Sequence, residues 1–246
     1  PLDVFKNGAY EDKKVDPCPF CPGNEDQTPL PEIFSVLNNG ESRQSVSDRS
    51  LISSDWLTRV IPNKYPSLKP EGKLIRKGMG VFDKISGVGA HEICIESPDH
   101  NAEIPLLSVN QIITVLGVLK MRMKDLEKDR RFNYLSLFKN KGADAGASLE
   151  HPHWQLNALP ITPSEVSREL RSSYDHFDEK ERCLICDILS QEIESNERVI
   201  EVNEAFVVLS PFASRFAGEL FIAPVPGDSH SHSFPDSDDF AISMLA

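Results

Sequence analysis

Asn140-Lys141-Gly142-Ala143-Asp144-Ala145-Gly146-Ala147-Ser148-Leu149-Glu150-His151-Pro152-His153-Trp154-Gln155 is the stretch on which the rest of the chain depends. Its second half reads as the start of a strand, His153–Leu159. On a strand, residues i, i+2 and i+4 share one face. That pattern sets His151, His153 and Gln155 side by side and turns Trp154 and Leu156 toward a core. Pro152 cannot donate a ladder hydrogen bond, so the strand is expected at a sheet edge or a bulge. Upstream, Gly142 and Gly146 among small residues let backbone approach a ligand closely, as phosphate-binding loops do. Glycine spacing alone is a weak signal; a glycine loop, a serine and His-x-His-x-Gln together are a strong one.

The flanking sequence gives a mixed α+β chain. Short runs bounded by Gly, Pro, Asn or Ser predict strands over Glu32–Leu37, Trp56–Pro62, His91–Glu96, Tyr134–Phe138, Arg198–Val202, Ala205–Leu209 and Glu219–Ala223. Ile112, Val115, Leu116, Leu119, Met123 and Leu126 recur at helical spacing, so Val109–Asp129 is read as a helix capped by Ser108. A second, more polar helix is expected over Pro163–Tyr174. Asp236–Asp239 reads as a solvated loop or helix start.

The chain has 246 residues and a net charge of −12, and 39% of its residues are hydrophobic. It is therefore globular rather than disordered. The acidic balance argues against a nucleic-acid binder, whose footprint is normally basic. It leaves room for a small anionic substrate held by local groups such as Lys64, Lys139 and Lys141. No apolar run approaches the roughly 18 residues of a membrane span, and no charged-then-apolar leader precedes the first block. A cytoplasmic location is expected.

The five cysteines sort the rest. Cys18/Cys21 and Cys183/Cys186 form two Cys-x-x-Cys pairs, and Cys94 is left over. That usage suits a reducing compartment and metal ligation better than disulfides. Cys18 and Cys21 supply half of a tetrahedral zinc site, with His91, His100, His151 and His153 as candidates for the other half. The two pairs also suggest duplication, each being followed by strands and histidines. We expect residues 1–160 to form an N-terminal domain and 161–246 a partial C-terminal copy lacking its last elements.

Four segments now carry a resemblance: Cys18-Pro19-Phe20-Cys21-Pro22-Gly23-Asn24-Glu25, Arg59-Val60-Ile61-Pro62-Asn63-Lys64-Tyr65-Pro66, His91 through His100, and Asn140 through Gln155. In this order they resemble the galactose-1-phosphate uridylyltransferases, a branch of the histidine-triad superfamily. The resemblance implies a duplicated histidine-triad-like half-barrel of antiparallel sheet with helices. It implies a first zinc on Cys18, Cys21, His100 and His151, with His153 as the nucleophile. It assigns Gln155 to the transferred phosphoryl group, Asn140, Gly146 and Ser148 to the nucleotide-binding segment, and Asn63 to the nucleoside. A second zinc would use Cys183 and Cys186 with His230 or His232, its fourth ligand lying beyond this sequence.

The implied reaction moves UMP from UDP-glucose to galactose 1-phosphate through a covalent nucleotidyl-histidine. Phosphorolysis of an ADP-sugar is the alternative, favoured by the second Cys-x-x-Cys. A non-catalytic nucleotide-binding relative is the reading from another class, and the intact His153–Gln155 pair argues against it. The expected partners are a nucleotide sugar and a sugar 1-phosphate, with no nucleic acid and no membrane, in a homodimer.

Overall fold

The computed structural model describes residues 17–227 and 234–236. These divide into two compact units. One contains residues up to 115 together with 125–161; the other contains 116–124 and the residues from 162 onward.

The first unit is built on a six-stranded antiparallel sheet. Its strands are β1 (Glu32–Leu37), β2 (Ser42–Val46), β3 (Trp56–Pro62), β6 (Ala90–Ile95), β7 (Tyr134–Phe138) and β8 (His153–Leu159), in the order β2-β1-β3-β6-β8-β7. A separate hairpin pairs β4 (Arg76–Met79) with β5 (Phe82–Ile85). Trp56, Ile61, Ile93 and Ile95 are buried with Leu37, Cys18 and Phe20 in one apolar cluster. Cys21 packs against the same cluster, so the core holds both ends of the Cys-x-x-Cys turn.

Close strand contact makes one glycine obligatory. A Cβ on Gly89, just before β6, would lie 2.2 Å from the carbonyl oxygen of Ala158 on β8. Deeper in the sheet, Arg59 on β3 donates to Glu32 on β1 at 2.6 Å, and both side chains are essentially inaccessible. Ser35 Oγ donates to the other oxygen of Glu32 at 2.7 Å.

Helix α1 (Val109–Leu126) starts where the sequence places it: Ser108 Oγ accepts from the Gln111 amide at 3.2 Å, a side-chain N-cap. Val115, Leu119, Met123 and Leu126 of the predicted stripe are buried. The second unit holds α2 (Ser164–Lys180), α3 (Leu184–Ser195) and a three-stranded antiparallel sheet in the order β11-β10-β9. Its strands are β9 (Val199–Val202), β10 (Phe206–Leu209) and β11 (Phe221–Pro224). Leu189, Val207, Leu209 and Ala223 form its apolar core.

The α+β reading with antiparallel sheets therefore holds, with three corrections. β8 is not an edge strand: it lies between β6 and β7, and the ladder begins at His153, so Pro152 sits outside it and its missing N–H is not needed. His151 precedes the strand rather than sharing its face. Trp154 does not enter the core; it is half-buried beneath the Lys139 ammonium, which stands 5.9 Å from its ring centre. Of the acidic run, Phe234–Asp236 forms one 3-10 turn and 237–239 lie outside the described residues.

Candidate active site and metal centre

The Cys-x-x-Cys turn is closed by the Cys21 amide donating to the Cys18 carbonyl at 3.3 Å. It brings both sulfurs against two histidines. Cys21 Sγ lies 3.3 Å from His100 Nδ1 and 3.5 Å from His151 Nδ1, and Cys18 Sγ lies 3.8 Å from His151 Nδ1. All four ligand atoms fall within 4.8 Å of one another.

These distances fit a shared ion. With bonds of about 2.0–2.1 Å to nitrogen and about 2.3 Å to sulfur, the edges of a tetrahedron are roughly 3.3–3.8 Å. The ring orientations fit as well. Ser97 O, which can only accept, lies 2.8 Å from His151 Nε2, so that nitrogen carries the hydrogen and Nδ1 presents its lone pair to the cluster. The Glu150 carboxylate stands 3.7 Å from His100 Nε2 on the far side of that ring.

The chemistry of the donor set fits a cation. Burial, then the neighbouring Cys18, push the Cys21 thiol up to about 11. Burial pulls His151 down to about 4, which keeps it neutral and ligand-competent. A divalent ion would turn the crowded thiols into favourable thiolates. Among the described residues this is the one such group of three or more His, Cys, Asp or Glu side chains.

His153, two residues on, is 6% exposed. Its Nδ1 lies 2.8 Å from the His151 carbonyl and must therefore carry the hydrogen, leaving the Nε2 lone pair unprotonated. Burial lowers its pKa from the ordinary histidine value, as does the Lys139 charge nearby, while the His151 carbonyl and Glu96 oppose the shift. Lys139 and Glu96 are themselves a buried ion pair. Phe20 packs its ring against His153 at 5.3 Å and 72°, so the Cys-x-x-Cys turn also buttresses this histidine.

His153 opens onto a cavity of about 380 Å³. Gln155, Asn63 and Ser148 line it, with Phe20, Gln27, Thr28, Ile61, Tyr65 and Leu149 among the other walls. Of the sequence-predicted substrate residues, these three are brought to His153. Asn140 is not: it lines a separate hollow with Lys139, Lys141, His100 and Trp154. Gly146 lines neither cavity. It ends the Ala143–Ala145 turn at φ +79°, a left-handed conformation that glycine accepts readily, and Gly142 opens the same turn at φ +81°.

Cys94, the unpaired cysteine, is buried in β6 beside Thr58, and burial pushes its thiol up to about 12. In the second unit Cys183 immediately precedes α3 and Cys186 sits in its first turn. His230 and His232 lie outside the described residues. Sequence reasoning passed over Gln27 and Thr28, which carry no motif of their own and reach the cavity through the turn before β1. It also left His91 only as one candidate ligand; the structure places it on Gln155 instead, Nε2 to Oε1 at 3.0 Å.

Comparison with known proteins now adds to this geometry. Residues 46–163 match the family model for the N-terminal domain of galactose-1-phosphate uridyl transferase. ADP-glucose phosphorylase of Arabidopsis thaliana is 34% identical over 236 residues, 94% of this chain and 62% of that protein. Galactose-1-phosphate uridylyltransferase of Thermotoga maritima is 30% identical over 226 residues, 90% of this chain and 63% of that protein. The crystal structure of the Arabidopsis thaliana ADP-glucose phosphorylase with bound ADP-glucose superposes with a TM-score of 0.72 at 32% identity, covering 93% of this chain and 64% of the other. These matches support membership of the galactose-1-phosphate uridylyltransferase family. It spans a little under two thirds of the length of these relatives.

Proposed function

We propose that this chain carries the nucleotidyl-transfer half of such an enzyme, with His153 as the nucleophile. The observation that carries the reading is the orientation of His153: its Nδ1–H is anchored to backbone and its other nitrogen is neutral in a cavity wall. Nε2 attacks the α-phosphorus of a nucleoside diphosphate sugar. A P–N bond forms, the P–O bond to the β-phosphate breaks, and sugar 1-phosphate leaves with that electron pair. A second acceptor then takes the nucleotidyl group from the histidine. Splitting one displacement into two is the usual gain of covalent catalysis, and the Gln155 amide supplies hydrogen bonds to the phosphoryl oxygens as charge builds there.

Cys18, Cys21, His100 and His151 would hold zinc. All four positions would be filled by protein, so the ion's contribution is structural, holding the entry to β8 two residues from the nucleophile. Cys183 and Cys186 with His230 belong to the same proposal as part of a second site. A cytoplasmic homodimer is the assembly and location that the family resemblance suggests.

UDP-glucose, with galactose 1-phosphate as acceptor, is the donor suggested by the His-Pro-His spelling and by the matched family. A second reading, ADP-glucose with phosphate as acceptor, is favoured by the second Cys-x-x-Cys and by the 34% relative. Incubating the protein with UDP-glucose and ADP-glucose, each labelled at the α-phosphate, tests both. Acid-labile label from one donor identifies the chemistry; label from neither overturns the transferase reading.

A further inference from the structure

His91 belongs neither to the metal cluster nor to the nucleophile, yet it touches two residues of the cavity wall. It lies on β6, where Ile93 pairs with Gln155 and His91 with Asn157, so His91 and Gln155 are diagonal neighbours across the ladder. Its Nε2 lies 3.0 Å from Gln155 Oε1 and 2.9 Å from Asn63 Nδ2. One ring nitrogen serves one of these partners at a time.

The choice is made on the other side of the ring. The backbone N–H of Ser67 points at His91 Nδ1 at 3.4 Å. A backbone amide can only donate, so Nδ1 is the accepting nitrogen and Nε2 carries the hydrogen. Nε2–H then donates to Gln155 Oε1. Asn63 offers a donor at that point, because its Oδ1 is occupied by the Tyr65 N–H at 2.9 Å, and so it cannot be the partner.

This settles which end of Gln155 reaches the reacting group. A glutamine amide has a donating and an accepting end of nearly the same shape. Presented to a phosphoryl group, the oxygen end repels the negative oxygens and the NH₂ end stabilises them. With Oε1 held by His91, the NH₂ end is the one left for the cavity beside His153. We infer that His91 is a positioning residue: it fixes the Gln155 amide with its donors toward the transferred phosphoryl group, through a tautomer set by the Ser67 backbone. The inference rests on the nucleotidyl-transfer reading above and deepens it.

The test is single-turnover labelling of His153 with whichever nucleotide sugar labels the wild-type protein, applied to His91→Leu and His91→Gln. Leucine fills the space without a donor; glutamine restores an N–H. The labelling rate constant of His91→Leu should fall roughly 10- to 100-fold, by analogy with the loss of a hydrogen-bond partner that orients a metal-ligating side chain. Its half-saturating donor concentration should stay within about 3-fold, because the interaction matters in the transition state rather than in binding. His91→Gln should recover at least about half of the lost factor on a logarithmic scale. Equal rates for wild type and His91→Leu would overturn the inference, as would equally slow leucine and glutamine variants or a loss confined to donor binding. If His91→Leu fails to give a wild-type-like thermal transition, His91→Ala replaces it under the same criteria. A wild-type protein that takes no label removes the transfer reading itself; a labelled wild type beside an unaffected His91→Leu removes this inference alone.

Discussion

Replacing Arg59 by methionine tests how the wall of the cavity is held. Arg59 lies within β3, which leads through Ile61 and Pro62 into Asn63, and these last three line the cavity. Arg59 is 0% exposed and donates to Glu32, itself 2% exposed, at 2.6 Å. Arg59→Met leaves the Glu32 carboxylate buried with Ser35 as its remaining bonded partner. Stranding one member of a buried ion pair costs about 3–5 kcal/mol. In a unit of this size that is a melting-temperature loss of roughly 6–20 °C.

The double variant Glu32→Leu/Arg59→Met removes both charges. It should lie no more than about 1–2 kcal/mol below wild type, the residual being the Ser35 hydroxyl left without its acceptor. Arg59 Nη1 has no hydrogen-bond partner among the described residues, so the double change also removes a donor unsatisfied there. Urea unfolding followed by the fluorescence of Trp56 and Trp154, both in this unit, reads Arg59→Met, Glu32→Leu alone and the double variant. A single change costing under about 1 kcal/mol, or a double variant as unstable as the sum of the two singles, would refute the reasoning.

Three further outcomes follow from the same geometry. Gly89→Ala should destabilise the first unit by about 1–3 kcal/mol or more, measured by thermal melting, because its Cβ meets the Ala158 carbonyl at 2.2 Å and neither strand can yield freely. Cys21→Ser should lower bound zinc well below one equivalent by elemental analysis, whereas His153→Ala should leave zinc content unchanged, since His153 is not among the converging ligands. The rate of His153 labelling should hold as pH falls through the ordinary histidine value of 6.5 and decline only below it, because burial lowers the His153 pKa and keeps the nucleophile neutral there; a rate already halved at or above pH 6.5 would contradict that burial.

Apolar patterning made β1, β3 and β8 legible to the residue, because each buries side chains in the core, and β7 was legible as a short apolar run although its residues are only half-buried. β2 and the β4–β5 hairpin were not, since their residues are almost all exposed and offer no period to read. Helix α3 went unread because its start coincides with the second Cys-x-x-Cys, which drew a metal reading instead. α2 runs on to Lys180, past the predicted Tyr174, on a polar segment with no buried residue to mark its end.

In the site, histidine and cysteine spacing displayed ligand chemistry but not partnership. By spacing alone His91, His100, His151 and His153 were equivalent. The family resemblance set His100 and His151 apart as ligands and His153 as the nucleophile, while the fold brings His100 and His151 to the two cysteines and sets His91 against Gln155. Asn140 and Ser148 sit eight residues apart in one motif yet line different hollows, although Ala147 and Leu149 on either side of Ser148 share the hollow of Asn140.

The central claim is that His153 becomes covalently nucleotidylated. Peptide mass mapping after incubation with UDP-glucose or ADP-glucose reads it directly. The account predicts an added nucleoside monophosphate on the peptide containing His153, lost on mild acid treatment and absent in His153→Ala. An adduct on another residue, or none with either donor in zinc-replete protein, would contradict it.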